Sequence, residues 1–164
     1  MIEKPIIFKT DSKIIAVIHL TIPREAMQDE MKPAIDEIIA ALSGQGNPPI
    51  GPMFAHHLVL SSTRFDFEVG FPVASPITEV GRVRNGELPS VTIARTIYHG
   101  LYEGLFSAWD EFGNVLGATR ILEELGLQRG ETLWEVYLSG PEISEDPSAW
   151  LTELCLPLVS ISSF

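Results

Sequence analysis

The sequence predicts an α+β fold in which one β-α-β-β unit occurs twice, with antiparallel sheets and two long helices related by a pseudo-two-fold axis. Three observations predict it. The order of strand-like and helical segments repeats, two short motifs recur at matching places, and 164 residues that are 45% hydrophobic suffice for one domain with a buried core. We therefore expect residues 1–164 to form a single domain.

The first copy spans residues 13–73. A run rich in β-branched residues ends at Pro23 and is followed by hydrophobic residues at helical spacing. Pro33 lies inside that helix and predicts either a kink or a helix that begins only at this proline. The expected elements are strand Ile14–Ile22, helix Glu25–Leu42, and extended segments Pro52–Leu60 and Phe65–Val73.

The second copy spans residues 90–158 and repeats this order. Residues 74–89, rich in glycine and proline, are expected to connect the copies. The expected elements are strand Ser90–Tyr98, one long helix Leu101–Leu125, and strands Thr132–Ser139 and Trp150–Leu158.

Two motifs align the copies residue by residue. Glu68–Val73 and Glu153–Leu158 share the pattern Glu, apolar, small, apolar, Pro, apolar, and Met53–Leu58 aligns with Leu133–Leu138. Two matches in the same order make chance the weaker explanation. A concave ligand site is expected on the axis between the copies.

Glu135 is the most informative difference between the copies, because Ala55 occupies the aligned position. Alternation favours Glu135 on a solvent-facing side of its strand. The other interpretation places it in a cavity, where desolvation raises its pKa unless a cation or hydrogen-bond donor holds the charge. In the first interpretation Leu133, Glu135 and Tyr137 face solvent while Trp134, Val136 and Leu138 are buried.

The chain resembles the GyrI-like small-molecule-binding domain family, which also forms the effector-binding half of Rob-type and BmrR-type transcription regulators. The resemblance implies a tandem β-α-β-β fold with a ligand cavity between its halves. The segments that carry it are Gly51–Phe54, Phe67–Val73, Leu88-Pro89, His99–Tyr102, Trp134–Tyr137, Trp150–Glu153 and Leu156–Leu158.

The resemblance also implies site residues. The family's cavity glutamate matches Glu135, and the tyrosine two residues later matches Tyr137. His57 stands where the first repeat of the family usually has tyrosine, and the comparison of the two copies pairs it with Tyr137 across the axis. Trp109 matches a position that is commonly a cavity-facing aromatic, although a core tryptophan packing the helix on the sheet is an equal alternative. Further aromatic faces for a ligand are expected from Tyr102, Phe54 and Phe112.

The expected function is that of a stand-alone sensor or sequestering protein that binds amphipathic, aromatic or cationic organic molecules. The resemblance also permits hydrolysis of strained cyclopropane-type genotoxins, with Glu135 as general base and Tyr137 as hydrogen-bond donor to the developing oxyanion. A third alternative is a protein-interaction role through the acidic surface, with a protein partner or a homodimer left open. Residues 1–13 are too short for a DNA-binding domain, so a stand-alone member is expected.

Composition argues against other classes of function. A net charge of −11 without a basic run disfavours nucleic acid, and no apolar stretch is long enough to span a membrane. No metal or cofactor is expected, since the adjacent His56 and His57 point to opposite faces of a strand. Cys155 lies in an apolar run and is expected to be an inert thiol. A cytoplasmic location is expected in the absence of a signal peptide.

Overall fold

The computed structural model describes residues 1–60, 63–141 and 143–161. The chain forms two compact units: the first unit is Asp11–Ser90, and the second unit is Met1–Thr10 with Val91–Phe164. Short 3-10 turns precede both long helices, at Arg24–Ala26 and Tyr102–Gly104. In chain order the strands and helices are β1 Ile6–Lys9, β2 Lys13–Pro23, α1 Met27–Gly44, β3 Phe54–Leu60, β4 Arg64–Pro72, β5 Arg84–Leu88, β6 Thr92–His99, α2 Leu105–Thr119, α3 Ile121–Glu124, β7 Leu127–Arg129, β8 Leu133–Ser139 and β9 Leu151–Ser160.

The first unit is an antiparallel sheet with the strand order β3-β4-β2-β5. Helix α1 contacts β2 and β4, and it buries Ala34, Ile38 and Leu42 at helical spacing. Pro33 is the seventh residue of α1, which begins at Met27. The alternative that the helix begins only at this proline is therefore wrong.

The second unit is an antiparallel sheet with the order β8-β9-β6-β1, and β7 also pairs with β9. One face of this sheet packs against α2 through an apolar core. The core contains Ala94, Tyr98, Ala108, Phe112, Leu116, Leu133, Leu154, Leu156 and Leu158.

The strand registers confirm the repeat. Phe54 pairs with Gly70 and Ala55 with Val69 in the first unit, whereas Trp134 pairs with Cys155 and Glu135 with Leu154 in the second. A register shift follows two residues later in both units, after His57 and after Tyr137. The α+β class, the β-α-β-β order and the alignment of Ala55 with Glu135 are therefore all present in the structure.

The prediction of one helix over residues 101–125 is wrong. The segment opens with a 3-10 turn, α2 ends at Thr119, and α3 follows as a separate short helix. Arg120 between them has φ 55°, a left-handed conformation that interrupts the hydrogen-bond ladder. Hydrophobic spacing continues across this residue, so the pattern does not reveal the break.

Three short strands were also missed. Arg84–Leu88 lies in the expected connection 74–89 but pairs with β2, Ile6–Lys9 pairs with β6, and Leu127–Arg129 pairs with β9. None of the three alternates clearly, and each is five residues or fewer, so tertiary pairing rather than local propensity determines them. No helix in the described residues is long and apolar enough to cross a membrane.

Candidate ligand-binding site

Glu135 lies on the face of the second-unit sheet that packs against α2. Its strand neighbour Leu133 and its cross-strand partner Leu154 both belong to the core beneath that helix. Only 7% of the Glu135 surface is exposed, whereas Leu138 is 38% exposed. The solvent-facing interpretation of Glu135 is therefore wrong, because α2 covers this face of the sheet and Leu133, Trp134 and Glu135 are all buried.

Both carboxylate oxygens of Glu135 accept hydrogen bonds from aromatic side chains. The Trp109 indole N–H donates to Oε2 over 2.8 Å, and the Tyr137 hydroxyl donates to Oε1 over 3.0 Å. Trp109 comes from α2 and Tyr137 from β8 itself, so the helix and the sheet each supply one donor. Bonds of this kind to a carboxylate are stronger than those between neutral groups.

The Tyr137 phenol remains protonated at neutral pH. Burial raises its pKa well above 10.0, and the negative charge of Glu135 together with the hydrogen bond between them raises it further. The hydroxyl therefore keeps its proton and donates the hydrogen bond to the Glu135 carboxylate.

Glu135 connects two groups of contacting aromatic rings, which we together call the aromatic column. The first group is Phe112 with Trp109, and the second is Tyr137, Tyr102 and Trp150. Their ring centroids lie 5.8 Å apart for Trp109 and Phe112, 5.9 Å for Tyr137 and Tyr102, and 5.5 Å for Tyr102 and Trp150. These separations are typical of interacting aromatic pairs. The column runs from the buried core at Phe112 to Tyr102, which is 38% exposed.

Trp150 was not among the expected site residues. Its indole N–H donates to the Ser144 carbonyl over 2.8 Å, which fixes the ring beside Tyr102. The sequence feature that could have pointed to Trp150 as a site residue is its place at the start of the Trp150–Glu153 motif. Its contact with a residue 48 positions earlier is a tertiary feature that no local pattern reveals.

Five of the seven expected ligand contacts therefore belong to one connected group in the second unit. Trp109 combines both of its proposed roles, since it packs against the core and also donates to Glu135. Phe112 is fully buried. Direct ligand contact by any of these residues stays a prediction.

His57 and Phe54 belong to the first unit. The His57 ring stacks on Phe67 with centroids 5.4 Å apart and lies 5.7 Å from Phe65. Phe54 is buried opposite Gly70. The expected pairing of His57 with Tyr137 joins both units and stays a prediction, as does a single domain over residues 1–164.

The structure gives Cys155 the setting of an unreactive thiol. It is buried, and its Sγ donates to Glu153 Oε1 over 3.2 Å. Burial, with a smaller effect of the Glu153 charge, raises the pKa of the thiol far above its ordinary value of 9.0. Within the described residues, no group of His, Cys, Asp and Glu is arranged to hold a metal ion.

The tandem β-α-β-β fold is that of a class of small-molecule-binding domains. The family model described as the GyrI-like small molecule binding domain matches residues 3–159, and the chain belongs to this family. No curated protein sequence matches the chain.

Solved structures share this fold. The C-terminal domain of EcmrR has a TM-score of 0.76 at 17% identity, covering 96% of this chain and 98% of that domain. In the EcmrR–DNA complex, with a TM-score of 0.72 at 17% identity, 96% of this chain is covered and it spans 57% of the EcmrR chain.

Two further similar structures carry descriptions that concern function. SAV2435, solved with tetraphenylphosphonium bound, has a TM-score of 0.68 at 11% identity, with 96% of this chain and 94% of that chain covered. A structure described as a hydrolase encoded by lin2189 of Listeria innocua has a TM-score of 0.63 at 14% identity, with 95% and 92% covered. At these identities the likeness shows the fold alone.

Proposed function

We propose that this chain binds amphipathic aromatic cations and that Glu135 supplies the countercharge. The observation that carries the proposal is a carboxylate only 7% exposed and set within the aromatic column. Family membership supports small-molecule binding in general, and the aromatic rings and the charge favour this ligand class.

Electrostatics favours a cation at this place. Burial of a carboxylate costs several kcal/mol, and hydrogen bonds from Trp109 and Tyr137 offset part of that cost. A charge in a low-dielectric environment also attracts an opposite charge more strongly than an exposed one does. Tryptophan and tyrosine faces add cation–π attraction of about 0.5–2 kcal/mol. A lipophilic cation gains from each of these effects.

The tetraphenylphosphonium complex of SAV2435 provides a suitable probe, because that ion combines one positive charge with four aryl rings. Its binding to this chain is measured by calorimetry beside that of uncharged triphenylphosphine oxide. We expect Glu135→Gln to weaken binding of the cation by about 10- to 100-fold, or about 1.4–2.7 kcal/mol, and to leave the uncharged compound nearly unaffected.

The matched control is Glu111→Gln, which removes the same charge from an exposed position on α2. It should leave both affinities unchanged, because an exposed charge is screened by solvent and salt. Equal affinity of Glu135→Gln and wild type for tetraphenylphosphonium would overturn the assignment of Glu135.

A hydrolase is the second candidate, favoured by the contact between Glu135 and a protonated phenol at 3.0 Å. Glu135 would take a proton from water as the water oxygen bonds to a strained ring carbon. As that C–O bond forms, the ring C–C bond would break and its electron pair would pass to a conjugated carbonyl as an enolate, whose oxygen would accept a hydrogen bond from Tyr137. The enolate would then take the proton from Glu135, which completes the addition of water and restores the carboxylate. The description of the Listeria innocua structure is consistent with this chemistry.

Turnover separates the two candidates. A hydrolase should open a cyclopropane conjugated to a carbonyl, and Tyr137→Phe should lower kcat by about 100-fold, the usual cost of losing one oxyanion donor. A pure binding protein should show no turnover above the uncatalysed rate. Product formation measured by chromatography with wild type and Tyr137→Phe decides between them.

A further inference from the structure

The geometry points to a binding slot for a planar aromatic cation over the Trp150 ring. The Tyr102 ring fills this slot in the structure, and the cation enters when the Tyr102 side chain rotates away. The identity of the incoming ligand rests on the proposed function. The slot itself is a separate property of the second unit, and it can be tested without any cation.

Tyr102 is held the way a small aromatic ligand would be held. Its ring lies against Trp150 with centroids 5.5 Å apart and planes tilted by 35°, and it meets Tyr137 edge-on at 5.9 Å and 78°. Both arrangements are favourable for aromatic pairs. Tyr102 nevertheless keeps 38% of its surface exposed, while Tyr137 and Trp150 are only partly exposed.

The two walls of the slot are fixed by hydrogen bonds through their polar ends. The Trp150 indole donates to the Ser144 carbonyl over 2.8 Å, and the Tyr137 hydroxyl donates to Glu135 over 3.0 Å. Neither bond involves Tyr102. The walls can therefore keep their positions when the ring between them leaves.

The turn that carries Tyr102 is attached at its base. The Tyr98 hydroxyl donates to the Leu101 carbonyl over 2.7 Å, and a Cβ on Gly104 would lie 2.1 Å from that hydroxyl oxygen. Gly100 has φ 142°, which an L side chain rarely adopts. The backbone of this turn is thus constrained, so the Tyr102 ring leaves the slot by a change of side-chain rotamer and not by movement of the turn.

The first unit shows which other group fits the equivalent position. Strand register places Leu20 where the second unit has Tyr98, so Arg24, four residues after Leu20, corresponds to Tyr102. By the register of β4 and β9, Phe65 corresponds to Trp150.

The Arg24 guanidinium lies over the Phe65 ring, with its Cζ 4.4 Å from the ring centroid. One unit therefore places a planar cation, and the other a phenol ring, at the same place over an aromatic face. A molecule that combines an aryl ring with a planar cationic group matches both occupants.

The test uses p-cresol, which is the Tyr side chain as a free molecule, and benzamidine, an aryl ring bearing a planar cation. Thermal unfolding is followed with each probe for wild type and Tyr102→Ala. We expect each probe to raise the Tm of Tyr102→Ala by several degrees, and to bind it at least 5-fold more tightly than wild type, because the slot is vacant. Equal responses of the two proteins to p-cresol would overturn the slot.

Two further variants act as controls. Phe106→Ala removes another exposed aromatic close to Tyr102 in sequence, and it should bind both probes as wild type does. Tyr102→Arg copies the first unit and should leave the slot filled, so neither probe should gain affinity. A gain in either variant contradicts the proposal. If Tyr102→Ala does not fold, Tyr102→Val serves in its place, since it retains contact at Cβ and Cγ without a ring.

Glu135→Gln in the Tyr102→Ala background separates this inference from the proposed function. If this double variant loses the tighter binding of benzamidine but keeps the tighter binding of p-cresol, the result supports both the slot and the proposed function. Retention of both gains supports the slot but contradicts Glu135 as the countercharge. Absence of any p-cresol gain, while Glu135→Gln still weakens tetraphenylphosphonium binding, rejects the slot alone.

Discussion

The two units share one strand register and use it for different chemistry. At the position where β8 carries Glu135 with the donors Trp109 and Tyr137, β3 carries Ala55, followed two residues later by His57 stacked on Phe67. The backbone thus determines where a side chain points, and local partners determine whether a charge can exist there. Because the unit is repeated, each backbone position can be compared in two different side-chain environments within one chain.

The two units also differ in the space available to a side chain at the next position along β4 and β9. Gly70 and Cys155 are equivalent by register, but a Cβ on Gly70 would lie 2.1 Å from the Ala16 carbonyl oxygen and 2.8 Å from a Val17 methyl. The second unit accommodates a buried thiol at the matching place. Equivalent register therefore does not mean equivalent packing.

The largest effect is expected when the acid of the second unit is copied into the first. Ala55 is completely buried, and no tryptophan or tyrosine lies within residues 11–90 to provide donors like Trp109 and Tyr137. We expect Ala55→Glu to lower the free energy of unfolding at pH 7 by about 4 kcal/mol, measured by urea denaturation.

Ala55→Gln is the control, because it adds nearly the same volume without a charge. It should cost less than Ala55→Glu at pH 7, and the two should converge at acidic pH, where the new carboxyl is protonated. Equal losses at pH 7 would show that volume alone distinguishes the two positions.

Exchange of the small residues should have the next largest effect. Gly70→Ala is expected to cost about 3 kcal/mol, because the clash is with backbone and cannot be relieved by rotating a side chain. Cys155→Ala should cost about 1 kcal/mol, since it removes one buried sulfur atom. Urea denaturation of both variants measures the difference, and equal costs would contradict the asymmetry between the units.

The sequence could predict how the strands of the two units align, but not the burial of the Glu135 carboxylate that distinguishes them. The recurrence of Glu68–Val73 at Glu153–Leu158 is sufficient to align the strands, because hydrophobic alternation and proline placement are local properties. Alternation alone places Glu135 in solvent. Its burial depends on helix α2, which lies far from β8 in sequence, and the resemblance to the family was needed to predict it.

Other features were missed for the same reason. The left-handed Arg120 interrupts a continuous apolar pattern, and the role of Trp150 beside Tyr102 depends on contacts between distant segments. Strand β5 contains Gly86 and has no β-branched residue, so only its pairing with β2 reveals it. Each of these is a tertiary effect that overrides or escapes local propensity.

Removal of the acid from the second unit should have a smaller effect than its introduction into the first. Glu135→Ala leaves the indole of Trp109 and the hydroxyl of Tyr137 without their acceptor, and we expect a loss of about 2 kcal/mol. Tyr137→Phe alone should cost about 1 kcal/mol.

The double variant tests whether the two residues act as one group. It should cost about 1 kcal/mol less than the sum of the single variants, because the hydroxyl lost in Tyr137→Phe is no longer left unsatisfied in Glu135→Ala. Strict additivity in urea denaturation would mean that the hydrogen bond between Glu135 and Tyr137 contributes nothing to stability.

The smallest expected difference, that between wild type and a variant without one phenol, appears at alkaline pH, and it belongs to the second unit, which contains all three tyrosines and the only cysteine. Burial raises the pKa of Tyr137, Tyr98 and Cys155 above the ordinary values of 10.0 for tyrosine and 9.0 for cysteine. A folded-state pKa above the unfolded value stabilises the fold below the unfolded pKa, and this contribution is lost as pH rises towards the folded pKa. The free energy of unfolding should therefore fall from about pH 9 upwards, by at most about 1.4 kcal/mol per pH unit for each such group.

Tyr137→Phe provides the comparison, because it removes one of these groups and retains the ring. Urea denaturation between pH 8 and 11 should give a shallower decline for the variant than for wild type, so that the gap between their stabilities narrows above pH 10. Parallel curves would mean that the Tyr137 phenol ionises as readily in the folded chain as in the unfolded one. Neither burial nor the hydrogen bond to Glu135 would then stabilise the protonated phenol in the folded chain, and the indole N–H of Trp109 would be left as the stabilising donor to the Glu135 carboxylate.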